Sequence, residues 1–358
     1  MKIFDPYQLK NILLKNRIVM APMTRGRADN EKSLAVDIMA TYYQQRASAG
    51  LIITEGVFIN EMAVGYMNIP KIQTEEQKDS WRPIAHAVHE KNGKIFMQIW
   101  HVGASSHPTL LNGALPLSPS GINPNIKVFA EGGFIDTVTP KAMDLSEIKS
   151  TIKDFGIAAK NAIDAGMDGI EIHAANGYLF NQFFQKSSNK RTDEYGGSIE
   201  NRTRFLFETL DEIKKHISIE QVGIRFSPKI DDLGVKYDDE TEALYKYILQ
   251  EIQTRYNVAY LHFNGLKNTK VQTSITDIMD IAKCMRQDFN GTIIINTGLT
   301  KEIAEEILDK NYADLFAFGV PFIANPTLVE KLKNNEPLAP PLHEFFYTGG
   351  AEGYITYQ

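Results

Sequence analysis

Short runs of apolar, mostly β-branched residues alternate along the whole chain with longer amphipathic segments. The runs that predict strands are 17–20, 51–55, 94–99, 169–173, 222–226, 259–263, 292–296 and 314–317. The segments that predict helices are 36–49, 75–91, 145–165, 201–216, 239–255, 275–287, 301–310 and 326–333. Because strands that alternate with helices form parallel βαβ units, the pattern predicts an α/β fold. We expect a single (β/α)8 TIM-barrel domain over residues 1–358, with its active site on the loops that follow the strands.

The connection between the third strand and the third helix is long and carries its own β pattern. Segments 127–130 and 134–138 flank the sequence Glu131-Gly-Gly, which predicts a β-hairpin with a glycine-containing turn. We therefore expect residues 123–144 to form a capping hairpin insertion over the barrel mouth.

Composition and charge exclude several classes of function. A hydrophobic content of 43% and a net charge of −6 are ordinary for a soluble globular protein. No apolar run approaches the ~20 residues that cross a bilayer, and basic residues are scattered, so we predict neither membrane nor nucleic-acid binding. The one cysteine, Cys284, excludes an internal disulfide and a four-cysteine zinc or iron–sulfur site, and it favours a cytoplasmic location.

Residues 171–182, Glu-Ile-His-Ala-Ala-Asn-Gly-Tyr-Leu-Phe-Asn-Gln, carry the most specific chemical pattern of the chain. A predicted strand ends here, and His173, Asn176 and Tyr178 lie at or just past its end. Two neutral donors can hold an oxygen that gains negative charge, and a phenol can deliver a proton. Singly, each residue has an ordinary explanation as a packed side chain, but the joint spacing favours catalysis. Because neither a second histidine nor a carboxylate stands at ligand spacing nearby, we predict no metal.

Two polar residues inside apolar strands indicate a bound cofactor. By strand alternation, Arg225 should face the barrel interior or its mouth, and Gln98 is a similar polar intrusion. A buried arginine is rare unless it meets an anion. A flavin ring would satisfy both side chains, since positive charge suits its N1–C2 carbonyl side and an amide suits its polar edge. A structural ion pair of Arg225 remains the alternative.

Glycines and aromatic residues complete the candidates. Gly298 and Gly319 follow the seventh and eighth strands, where barrels bind phosphate through backbone N–H groups, although turn geometry alone also explains them. Tyr66, Trp100 and Tyr347 are candidates for the wall of a substrate pocket, with ordinary packing as the alternative.

Taken together, these motifs resemble the Old Yellow Enzyme family of FMN-dependent ene-reductases. The similar segments are 14–25, 54–56, 98–101, 173–179, 191–205, 322–326 and 347–354, so the resemblance covers nearly the whole chain. The closing segment and the His/Asn pair are similar to the branch that contains N-ethylmaleimide reductases and pentaerythritol tetranitrate reductases.

The resemblance implies one non-covalent FMN at the barrel mouth, reduced by NADPH or NADH. The residues that it places against the FMN ring are Pro22, Met23, Thr24, Gly56, Gln98 and Arg225, and those against the phosphate are Gly298 and Gly319. It implies a small electrophilic alkene or nitro compound as substrate, whose oxygen is held by His173 and Asn176. Hydride then comes from the flavin N5, and Tyr178 supplies the proton. We expect a monomer or a homodimer.

Three positions depart from the pattern of the family. Val320 stands where the family usually has an arginine that helps to bind the FMN phosphate. Absence of that arginine should weaken cofactor binding by about 1.5–3 kcal/mol if nothing compensates. Lys267 and Lys270 are candidates for that compensation. Ala104 replaces a frequent arginine, and segment 264–269 lacks the Glu-Pro often found there, which bears on substrate range.

Three other functions were weighed against this one. The single cysteine argues against related enzymes that reduce dienoyl thioesters or oxidise amines with an iron–sulfur cluster. A flavin-binding protein with little turnover is favoured only by Val320 and would have no use for a placed proton donor. A barrel hydrolase or aldolase would need a metal set or a Schiff-base lysine at a strand end, and the sequence offers neither.

Overall fold

A computed structural model describes residues 1–229, 231–265, 267–268, 271–272 and 275–357. Its centre is a closed barrel of eight parallel strands, each hydrogen-bonded to its neighbours in the order of the chain. The strands are β1 Ile18–Met20, β2 Leu51–Phe58, β3 Ile95–Trp100, β4 Gly169–Ala174, β5 Val222–Phe226, β6 Tyr260–Asn264, β7 Ile293–Asn296 and β8 Leu315–Phe318. The predicted (β/α)8 barrel is confirmed, and each predicted strand is present within a few residues of its expected bounds.

Helices follow each of these strands and cover the outside of the barrel. They are α1 Asp37–Gln45, α2 Glu75–Glu90, α3 Leu145–Asp164, α4 Ile199–Ile213, α5 Thr241–Arg255, α6 Ile275–Asp288, α7 Lys301–Asp309 and α8 Leu328–Asn334. The start of α3 illustrates why they form where they do: Asp144 accepts from the Glu147 N–H, and the Glu147 side chain accepts from the Asp144 N–H, a capping box. Two short helices, Leu179–Phe184 and Val320–Ala324, lie in loops after β4 and β8.

The amino-terminal end of the barrel is closed by apolar packing. Residues 7–14 form a hairpin, Tyr7–Leu9 with Ile12–Leu14, whose Leu9 and Leu14 join a cluster inside the barrel that includes Phe96, Tyr260 and Leu315. Since this end is filled, a small molecule can enter only from the opposite end, where the strands finish.

The excursion between β3 and α3 contains the expected hairpin. Lys127–Ala130 pairs antiparallel with Gly133–Asp136, and Leu117–Ser118 pairs with Lys141–Ala142. Glu131, in the hairpin turn, lines a surface groove together with Tyr66 and Phe58. The excursion therefore lies beside the mouth of the barrel, and its role as a cap stays a prediction.

Buried arginines fix the carboxyl-terminal segment at the same end of the barrel. Arg25 Nη2 donates to the Gly353 carbonyl oxygen at 2.8 Å, and Arg27 Nη2 donates to that of Phe345 at 2.8 Å. The rings of Tyr42 and Tyr354 stack at 4.1 Å. None of the helices in the described part of the chain has the length and hydropathy needed to span a bilayer.

Candidate active site

A cavity with about 400 Å³ of empty space opens where the barrel strands end. Its lining residues are Pro22, Thr24, Gly56, Gln98, Trp100, His173, Asn176, Tyr178 and Arg225. Each of them was singled out from the sequence, and they come from strands β1 to β5 or the loops directly after them. The lining is mostly polar although it lies inside a hydrophobic barrel, and polar groups that converge on one cavity are typical of a binding site.

The imidazole of His173 is neutral and has a defined tautomer. Burial, and then the positive charge of the nearby Arg225, hold the pKa of His173 well below its usual range. Its Nδ1 accepts a hydrogen bond from the Ala175 N–H at 3.3 Å, so the ring hydrogen must lie on Nε2. His173 can therefore act as a neutral donor at Nε2.

The Asn176 amide is held by two residues that the sequence did not reveal. Asn264, the last residue of β6, donates from Nδ2 to Asn176 Oδ1 at 2.8 Å. The Ser227 hydroxyl lies 2.6 Å from Asn264 Oδ1 and accepts from the Asn176 N–H at 3.1 Å. The Ser227 hydroxyl also lies 2.9 Å from Asn176 Oδ1, so two donors surround this oxygen and the amide nitrogen is the group left to donate into the cavity. Asn176 adopts φ +55°, the left-handed conformation that asparagine tolerates better than most residues.

Tyr178 stands among aromatic rings next to these donors. Its ring packs edge-on against Trp100 at 4.8 Å and against His173 at 5.0 Å, and its hydroxyl lies 3.3 Å from that of Tyr66. Tyr66 also stacks on Trp100 at 5.6 Å. A Cβ at Gly56 would lie 2.4 Å from Trp100 Cε3, so glycine at this position lets the indole approach β2.

Arg225 is buried with part of its guanidinium unused. Its Nη2 donates to Asn296 Oδ1 at 3.0 Å, and the Asn296 amide nitrogen donates to the Ala317 carbonyl oxygen at 2.7 Å. Within the described residues Arg225 Nε has no hydrogen-bond partner, and no carboxylate lies within ion-pair distance of the guanidinium. A buried cation in this state can accept an anionic or carbonyl group from a ligand.

Several predicted residues lie outside the cavity lining. Tyr66 contacts the lining residues Tyr178 and Trp100, and Met23 Sδ would lie 3.5 Å from a Cβ at Gly319. Gly298 has φ +65°, and Gly319 directly precedes the helix Val320–Ala324. Tyr347 is 61% exposed, although its carbonyl oxygen would lie only 2.6 Å from a Cβ at Gly26.

The remaining predictions concern Val320, the two lysines that could replace its missing charge, and metal binding. Val320 is 37% exposed at the start of its short helix. The suggested compensation by Lys267 or Lys270 falls outside the described residues, since the first is described only in its backbone and the second not at all. In the described ranges, histidine, cysteine and carboxylate side chains do not gather in groups of three or more that could hold a metal ion.

The mouth of this (β/α)8 barrel gathers two oriented neutral donors, a phenol and a guanidinium that no carboxylate of the described residues pairs with, and these are the features of an enzyme active site. Residues 2–339 match the model of the NADH:flavin oxidoreductase / NADH oxidase family. The chain is 37% identical over 356 residues to the putative 12-oxophytodienoate reductase 5 of Oryza sativa subsp. japonica, covering 97% of this chain and 92% of that protein.

Solved structures give the same answer. Morphinone reductase superposes with a TM-score of 0.94 at 39% identity, covering 99% of this chain and 96% of the other. The old yellow enzyme homologue from Zymomonas mobilis superposes with a TM-score of 0.94 at 35% identity, covering 100% and 99%. The chain belongs to the NADH:flavin oxidoreductase / NADH oxidase family and is an oxidoreductase of the Old Yellow Enzyme type, with FMN and a nicotinamide reductant as its cofactors.

Proposed function

We propose that the protein is an ene-reductase that reduces the activated C=C bond of small α,β-unsaturated carbonyls, maleimides or nitro compounds with NADPH or NADH. Bound FMN supplies the hydride for the β carbon of the alkene. The observation that carries the proposal is the convergence of a His173 donor, an Asn176 donor and the Tyr178 phenol on one cavity. Reduction of an activated alkene needs this set, because charge develops on the activating oxygen and the α carbon must gain a proton.

The cavity lining fits the ring end of FMN. Arg225, with its unpartnered Nε, would meet the N1 and ribityl side, where negative charge collects on reduction. Gln98 and Gly56 would meet the pyrimidine edge, and Thr24 the C4 carbonyl, with Pro22 beside the ring. Met23 is proposed as a further ring contact on the resemblance alone.

His173 and Asn176 would hold the substrate oxygen as a pair of donors. Both donors have their orientation set before substrate arrives, which is the condition under which such donors lower a barrier. One well-placed donor contributes roughly 2.7–4 kcal/mol to the barrier reduction in other enzymes. Tyr178 would protonate the α carbon, with Tyr66, Trp100 and Tyr347 as proposed walls of the substrate pocket.

The phosphate of FMN would be bound by backbone N–H groups. Gly298 and Gly319 follow β7 and β8, where backbone N–H groups of phosphate-binding barrels are found. Val320 adds no charge there, so we expect FMN to be held mainly through its ring and ribityl chain. The protein would then lose FMN more readily on dilution than a relative with arginine at this position.

The visible absorption spectrum of the purified protein tests the function. It is recorded before and after anaerobic NADPH, and again after adding 2-cyclohexenone, with saturated cyclohexanone as the control. We expect flavin bands that bleach with NADPH and return with cyclohexenone only. A colourless protein that gains this cycle on adding FMN supports the function and indicates a weak phosphate end, whereas absence of binding to added FMN overturns the proposal.

A further inference from the structure

A buried polar network lies beneath the cavity and is not used in the proposed reaction. Glu171 of β4 is fully buried, and its Oε1 accepts from Gln98 Nε2 at 2.7 Å. Its Oε2 lies 2.8 Å from Nδ1 of His262 on β6, which is also fully buried. Burial of a carboxylate inside a barrel costs free energy, so the presence of Glu171 there calls for a reason beyond packing.

The charge state of this network follows from its surroundings. Burial lowers the pKa of His262 below its usual value, so the ring is neutral at pH 7 and donates from Nδ1. Burial opposes ionisation of Glu171, yet its hydrogen bonds with His262 and Gln98 and the positive charge of Arg225 hold the pKa of its carboxyl below its usual value. Glu171 is therefore a carboxylate, and its charge balances that of Arg225 across the same layer.

An ionised carboxylate can only accept hydrogen bonds, which fixes the Gln98 amide. The amide nitrogen must face Glu171, and the amide oxygen is left as the group that can face the cavity. We propose that Glu171 is a positioning residue that orients Gln98 so that its oxygen accepts the ring N–H of the flavin pyrimidine edge. This inference rests on the proposed function, since it takes FMN as the occupant of the cavity.

The substitution Glu171→Gln should turn the Gln98 amide around. Among the described atoms His262 Nε2 has no partner, so a neutral His262 keeps its hydrogen on Nδ1 and needs an oxygen at position 171. The introduced amide would meet His262 with its oxygen and Gln98 with its nitrogen. The Gln98 oxygen would then accept from position 171, and the Gln98 nitrogen would face the cavity. There two donors, this nitrogen and the ring N–H of the flavin, would oppose each other.

Titration of the apoprotein with FMN tests this, with quenching of flavin fluorescence as the readout of the dissociation constant. We expect Glu171→Gln to raise the dissociation constant roughly tenfold or more, the effect of one mismatched buried hydrogen bond. In a Gln98→Ala background, where there is no amide to orient, the same substitution should change it less than about threefold. Thermal unfolding of each apoprotein gives the accompanying change in stability.

The exchange Gln98→Glu with Glu171→Gln is the decisive second variant. The amide introduced at position 171 can donate to the carboxylate introduced at position 98 and accept from His262, so every bond is kept and the cavity again meets an acceptor. We expect the exchanged protein to bind FMN at least several-fold more tightly than Glu171→Gln alone. Where Glu171→Gln alone does not fold, the exchanged protein is compared with the wild type, and folding together with FMN binding by the exchanged protein supports the inference because the exchange restores the pairing.

The outcomes separate this inference from the proposed function. Wild-type apoprotein that does not bind FMN overturns both. Wild-type binding together with an unchanged dissociation constant for Glu171→Gln overturns the inference and leaves the function standing. Equal weakening with and without Gln98→Ala, or an exchanged protein that neither folds nor binds FMN, shows that Glu171 has a structural role only.

Discussion

Tyr178→Phe is the sharpest test of the reaction, because it removes one oxygen atom and keeps the ring. The contacts of the ring with Trp100 at 4.8 Å and His173 at 5.0 Å are retained by phenylalanine. What is lost is the hydroxyl that lies 3.3 Å from the hydroxyl of Tyr66. The variant therefore separates the chemistry of the phenol from the packing of its ring.

The structural and chemical effects of this change differ in size. Loss of a neutral hydroxyl contact changes the free energy of unfolding by about 0.5–1.5 kcal/mol. Loss of a general acid slows a proton-transfer step roughly 10²–10⁴-fold, which is about 2.7–5.4 kcal/mol in the barrier. If Tyr178 supplies the proton, the slowing of alkene reduction must exceed what the change in stability explains.

Rapid-mixing absorbance measures the two half-reactions separately. We expect Tyr178→Phe to slow reoxidation by 2-cyclohexenone at least a hundredfold and to change reduction by NADPH less than about threefold. Tyr66→Phe is the matched control, since it breaks the same hydroxyl contact from the other side and leaves the proposed acid in place. An unslowed alkene half-reaction in Tyr178→Phe, or equal slowing in both variants, would refute the role of Tyr178.

Three further changes have defined outcomes. Burial raises the pKa of Glu55 to about 7 from 4.5, so between these pH values the folded protein keeps a proton that the unfolded chain has lost. The free energy of unfolding should therefore fall by about 3 kcal/mol as the pH rises from 4.5 to 7. Urea unfolding of Glu55→Gln should show a flatter dependence on pH. Asn264→Ala removes one of the two donors at the Asn176 amide oxygen and should slow alkene reduction roughly tenfold or more with FMN affinity unchanged, the reverse pattern excluding an orienting role. Val320→Arg should tighten FMN binding at least about tenfold in titration of the apoprotein. Val320→Gln, which adds a polar side chain without a charge, should not.

The sequence was sufficient for the barrel because its elements carry strong local signals. Strand runs such as Val222–Phe226 are buried along their whole length, and α3 has both an apolar face and a capping box. The helix Leu179–Phe184 was missed because all six of its residues are buried, which leaves no amphipathic period to detect. The hairpin at residues 7–14 was missed because its three-residue strands are too short to show alternation.

The cavity lining was also predictable, but the residues behind it were not. His173, Asn176 and Arg225 stand out because they are polar residues within or just after apolar strand runs, at the end of the barrel where active sites lie. Ser227 and Asn264 hold Asn176 from other strands, and nothing in a single sequence states which strand ends are neighbours in space. A signal was nevertheless present, since β6 and β7 are apolar strands that both end in asparagine.

Strand register places polar side chains of neighbouring barrel strands side by side. In the parallel barrel Glu171 lies opposite Gln98, Arg225 opposite His262, and Asn264 opposite Asn296. Paired residues on neighbouring strands are about 4.8 Å apart, so Glu171 can hydrogen-bond to Gln98 without a loop between them. A slip of one residue would turn the side chains to the other face of the sheet and separate each pair. The orientation of the Gln98 amide is therefore built into two rigid strands, and a change at Glu171 should alter the direction of that amide before it alters the shape of the cavity.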